Sequence, residues 1–159
     1  MKKILTLVAV LSASLLVFSL SSCKKKEEPK KEEAPKAQLV SPAELAKFLP
    51  KLGGDLQYDK YSTTGTWLQV NVQKKDGKER AMWFQVFDQR NDQRAKDFYK
   101  NTTEKVAGKY PAIVAKDMHV WILVNNIEIR LIGDSKAYKN TAKLTKFLES
   151  FDLAGLEKL

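Results

Sequence analysis

The sequence predicts an α+β domain: an antiparallel sheet of about five to six strands, helices packed mainly on one face, and a hairpin–helix–hairpin–helix order. Three observations predict it. Four runs alternate apolar and polar residues with the period of a strand: Thr66 to Gln73, Arg80 to Asp88, Met118 to Val124 and Ile127 to Ile132. Asp76-Gly77 and Asn125-Asn126 separate them in pairs with residues suited to tight turns. Helix start and stop residues bracket the segments that remain.

In chain order, Ser41-Pro42-Ala43-Glu44 opens a first helix, with Ser at the cap, Pro at the first helical position and Glu at the third. It stops before Pro50, and Gly53-Gly54 makes a loop. Leu56 to Ser62 is a weak strand before the first hairpin. A second helix is expected from about Asp92 to Val106, with Ala95, Phe98, Tyr99, Thr102 and Val106 inward. Gly108 and Pro111 end it. Ile113 to Ala115 is a short strand before the second hairpin. Asp134 is expected to cap a last helix over Ser135 to Ser150, with Leu144, Leu148 and Phe151 inward.

Strand parity sorts the sheet into two faces. One is aliphatic: Leu68, Val70, Val72, Met82, Phe84, Val86, Val120, Ile122, Val124, Ile127, Ile129 and Leu131. The other is mixed: Trp67, Gln69, Asn71, Trp83, Gln85, Phe87, His119, Trp121, Glu128 and Arg130. All three tryptophans fall on the mixed face, where aromatic rings lie among amides and charges. Such surfaces recognise saccharides, peptides or proteins. Trp67, Trp83, Trp121, His119 and Arg130 therefore make a candidate binding face. The competing expectation is a thin second core, covered by Leu45, Phe48 and Leu49 or by the C-terminal tail. Lys136, Lys139, Lys143 and Lys146 fall within an arc of about 80° if all ride one helix, at about 100° per residue. That stripe is a candidate surface for an anionic partner.

Residue inventory narrows the chemistry. One Cys and one His exclude a disulfide framework, a Cys-rich zinc site and most His-based metal cages. No Gly-rich phosphate loop or nucleophile elbow is present. Asp88, Asp92 and Asp97 lack the glycine and the twelfth-position Glu of a calcium loop. The expectation is a non-catalytic protein with no cofactor and no metal. A small-molecule or lipid-binding module, with a pocket between sheet and helices, is the alternative to a macromolecule-binding one.

The N-terminus says where the protein is held. Met1-Lys2-Lys3 precedes 17 uncharged residues, Ile4 to Leu20. That run suits a secretory signal better than a membrane span of about 20 residues. It ends in Leu20-Ser21-Ser22-Cys23, which resembles the lipobox of bacterial lipoproteins. The resemblance implies removal of residues 1–22 and acylation of Cys23 on its thiol and amine. Lys24, in place of the Asp of inner-membrane lipoproteins, implies the outer membrane, on either its periplasmic or its surface face. Two or three acyl chains hold a protein where one binds only reversibly. Residues 23–36 then form the lipidated cysteine and its tether; Lys24 to Lys36 holds six lysines, four glutamates and two prolines, a disordered composition. Residues 37–159 form the single globular domain.

The net charge of +9 favours an anionic or envelope protein partner, and export excludes nucleic acid. Val106-Ala107-Gly108-Lys109-Tyr110 and the ending Phe151 to Leu159 resemble small α+β domains of bacterial envelope lipoproteins of unknown function. Those motifs imply structure rather than catalysis.

Overall fold

A computed structural model describes residues 35–115, 118–136 and 138–159. Cys23 and the expected leader lie outside the described residues, as does most of the tether. The strands are β1 (Leu56–Thr64), β2 (Trp67–Lys74), β3 (Arg80–Asp88), β4 (Lys105–Val106), β5 (Tyr110–Ala115), β6 (His119–Val124) and β7 (Ile127–Gly133). They form one antiparallel sheet in the order β1-β2-β3-β7-β6-β5-β4. The α+β expectation holds, but with seven strands rather than five to six. Each expected hairpin is part of a longer meander, β1–β3 and β4–β7. β1 gave little signal because it is an edge strand, exposed from Asp59 to Thr64 and interrupted by a bulge between Tyr58 and Tyr61. β4 has only two residues.

Parity survives intact. Every residue of the expected aliphatic face is at most 1% exposed. The helices are α1 (Pro42–Leu45), continued by a 3₁₀ turn over Ala46–Phe48, then α2 (Gln93–Tyr99), α3 (Thr141–Leu148) and α4 (Leu153–Leu156). Leu45, Leu144, Leu148, Leu153 and Leu156 join the aliphatic sheet residues in one buried cluster. At about 1.5–3 kcal/mol for each fully buried large aliphatic side chain, this cluster is the main favourable term in folding.

Two helix boundaries differ from expectation. α2 starts where Asp92 caps it, its side chain accepting from Arg94 and Ala95 N–H. It ends at Tyr99 rather than Val106, because Thr102 donates to the Ala112 carbonyl and Val106 pairs with Tyr110. Strand pairing takes the segment that local periodicity assigned to a helix. At α3 the cap is Asn140, accepting from Ala142 and Lys143 N–H. Asp134 instead pairs with Arg80.

The two motifs that resembled lipoprotein domains meet in space. Ala107 and Gly108 both take positive φ (51° and 72°), turning β4 back into β5. Lys109 Nζ then lies 2.6 Å from Glu157 Oε2, and the Tyr110 hydroxyl donates to the same oxygen at 3.2 Å. The hydrogen bond from Lys109 holds the Glu157 carboxyl below the usual carboxylate range, and Glu157 holds the Lys109 ammonium above its own. A depressed carboxyl stabilises above its unfolded pKa and loses that contribution as pH falls through the folded value. A raised ammonium stabilises below its unfolded pKa and loses it as pH rises through the folded value. The pair therefore contributes across neutral pH and fades at both extremes. Lys109→Ala should flatten the acid limb of the Tm-against-pH curve. An acid limb identical to the parent's would refute this role.

Gly133 ends β7 where only glycine fits, since a Cβ there would overlap the Tyr138 carbonyl. Gly133→Ala should destabilise by about 1–3 kcal/mol, the range for overpacked sites. Gly53→Ala, with nothing within 4 Å of its Cβ, should be near neutral. Urea unfolding of both variants checks the contrast.

Candidate functional site

The register builds the mixed face in rows. Trp67, Phe87, Glu128 and Leu123 lie side by side across β2, β3, β7 and β6. Gln69, Gln85, Arg130, Trp121 and Ile113 make the second row, continuing onto β5. The third is Asn71, Trp83, Ile132, His119 and Ala115. Cross-strand neighbours in such rows are close enough to interact directly. The sheet thus brings Trp67, Trp83, Trp121, His119 and Arg130 onto one face, with Trp83 in the same row as His119. All five are half-buried.

Arg130 is the centre of that surface. Its guanidinium lies 4.8 Å from the Phe87 ring centroid and 5.0 Å from that of Trp121, within cation–π range of both. The Trp67 ring stacks on Phe87 at 5.8 Å. On the other side Trp121 meets His119 at 6.4 Å and Phe98 at 6.2 Å. An aromatic band therefore runs Trp67–Phe87–Arg130–Trp121–Phe98. Phe98, expected to face inward from α2, is 57% exposed and closes the band's outer end. Its neighbour Tyr99 is the buried residue of that helix.

A carboxylate under the band fixes Arg130. Glu128 is 1% exposed and accepts from three groups: Tyr99 Oη at 2.7 Å, Gln89 Nε2 at 2.6 Å and Arg130 Nη2 at 2.9 Å. A charge this deeply buried is tolerated only when paired and hydrogen-bonded. Burial first, and then the Glu128 charge, pushes the Tyr99 hydroxyl well above its ordinary pKa, so it stays a donor. Trp121 Nε1, Arg130 Nε and Asn71 Oδ1 are shielded from solvent and have no hydrogen-bond partner among the described residues.

The expected covers for this face lie elsewhere. Leu45 joins the aliphatic cluster, Phe48 and Leu49 pack against it, and Asp152 N–H donates to the Phe48 carbonyl. α2 reaches the mixed face through Phe98, which meets Trp121, and Tyr99, which donates to Glu128. Sequence reasoning placed Glu128 there but missed its network, because Tyr99 and Gln89 come from 29 and 39 residues away. The available signal was the Tyr99 hydroxyl on a mainly apolar stripe.

The lysine stripe does not hold as one helical arc. Lys143 and Lys146 ride α3, but Lys136 and Lys139 precede its Asn140 cap. Asp88, Asp92 and Asp97 also separate. Asp88 accepts from Val40 N–H and pairs with Arg90, Asp92 caps α2, and Asp97 pairs with Lys100. Among the described residues, no three of His, Cys, Asp and Glu converge as a metal-holding set, and no helix is long and apolar enough to cross a membrane. No known protein family, curated protein or solved structure matches this chain.

Tyr99→Phe should destabilise by about 1.5–3 kcal/mol, the worth of a hydrogen bond to a charged group. Denaturant unfolding with a Glu128→Gln double-mutant cycle checks it: the two changes should couple. Additive effects would show that the hydroxyl does not act through Glu128.

Proposed function

We propose that the protein is an envelope lipoprotein, held in the outer membrane by acyl chains on Cys23, whose domain is a non-catalytic module that binds a macromolecular partner through the mixed sheet face. The lipobox Leu20-Ser21-Ser22-Cys23 supports the anchor. The aromatic band around Arg130 carries the binding reading. Its rings are preorganised by strand register and by the Glu128 network, so little side-chain entropy remains to be lost on association. Trp, Tyr and Arg dominate the energetics of such contacts. Export of the chain removes nucleic acid from the partners considered.

Two measurements test the reading. Cells fed an alkyne fatty acid should label the protein, and Cys23→Ala should abolish the label and release the chain from the membrane. Label retained without Cys23 refutes the anchor. For the face, a photo-crosslinker at position 98 should give a discrete adduct in intact envelopes, lost when Trp121 becomes Ala. Acrylamide should quench part of the tryptophan emission. Three fully inaccessible rings and no adduct would sink the binding face.

A further inference from the structure

We propose that a groove between α3 and the loop leading into β1 takes a single-chain anionic amphiphile: an acyl chain ending in carboxylate or phosphate. The site stands apart from the aromatic face and does not depend on its reading. Its volume is about 430 Å³, within the roughly 300–1,000 Å³ of small-molecule sites.

Its floor is apolar. Leu52, Leu56, Tyr138 and Phe147 line it, and each is a half-buried residue packed on the rim of the main core. Its edge is cationic. Lys51, Lys143 and Lys146 line the same groove, and all three are exposed. No carboxylate lines it among the described residues. Lys51 and Lys146 make no ion pair among the described residues. An apolar trough edged by three cations complements a ligand with an apolar tail and an anionic head. A purely apolar ligand would leave the Lys51 and Lys146 charges unused, and a free anion would leave the trough wet.

The trough is open to solvent rather than enclosed, and its volume is that of a small-molecule site. Position in the fold agrees. The polypeptide enters the domain at the Asp88 end of the sheet, where Ala37 N–H donates to Asn91 and Val40 N–H to Asp88. The groove opens at the other end, where Leu56 pairs with Lys74 and Tyr138 follows Gly133. Between them lies the eight-residue length of β2, about 27 Å at 3.4 Å per residue.

The test uses residues 24–159, which retain every described element and the whole described core cluster. Isothermal titration with tetradecanoate and with its lysophosphatidate counterpart distinguishes the two head groups. At least one should bind saturably at one per chain, while tetradecanol and inorganic phosphate bind at least tenfold more weakly. The double change Lys51→Glu and Lys146→Glu should weaken the anionic probe roughly tenfold or more. Lys136→Glu with Lys139→Glu, outside the groove, should leave it unchanged. No saturable binding of either anionic probe overturns the proposal. Equal binding of tetradecanol, indifference to the Lys51 and Lys146 changes, or binding only to anionic vesicles does so too.

Discussion

β3 and β7 pair antiparallel over seven positions, from Met82 opposite Gly133 to Asp88 opposite Ile127. This seam joins the two meanders, and among the described residues it is the only strand pairing between them. It also fixes which side of each half faces the helices. A slip of one residue would turn Ile127, Ile129 and Leu131 outward and bring Glu128 and Arg130 into the aliphatic core. That error would part the already buried Glu128 from its donors and bury Arg130 among aliphatic side chains, at a cost of several kcal/mol each. The aliphatic face and the aromatic band are therefore two consequences of one register, and neither can be altered without the other.

Glu128 shows how much the outer face depends on that seam. Its strand neighbour on β3 is Phe87 and on β6 is Leu123, so on its own row it meets no polar group. Its donors come from the end of β3, through Gln89, from α2, through Tyr99, and from Arg130 two residues along its own strand. The carboxylate thus ties α2 to the sheet, as a buried charge must recruit every donor within reach. Arg130, its position fixed by this carboxylate, is in turn presented between Phe87 and Trp121. A residue that looks like a structural ion pair also sets the geometry of the candidate binding surface.

The sequence carried the central strands clearly and the periphery poorly, for physical reasons. β2, β3, β6 and β7 turn one face to the aliphatic core and the other to a mixed, mainly half-buried surface, so alternation is imposed on them and can be read back. β1 is an edge with most of its length in solvent, so nothing constrains its pattern. Val106 looked helical because its spacing from Thr102 and Tyr99 fits a turn, yet a two-residue pairing with β5 decides its conformation. Lys136 and Lys139 fell into a helical arc only because Asp134 was assigned the cap that Asn140 holds. Faces were legible because parity is local. The Glu128 network and the lysine-edged groove were not, because their members are joined only by the folded chain.

The same distinction explains why the two candidate sites differ in chemistry. The aromatic band sits on paired strands, closed by Phe98 from α2, and it suits recognition by shape and stacking. The groove lies where a loop, a short turn and α3 come together, and its lysines are long and exposed. Such a site discriminates by charge and apolar length rather than by fixed geometry. Phe147 links the groove to the core: it lines the trough and packs 6.1 Å from Phe84 and 5.9 Å from Phe151. Filling the trough would complete the contacts of a ring that the core already holds on its other side. An apolar tail there extends the existing hydrophobic core, and the lysines at its mouth decide which tails may enter.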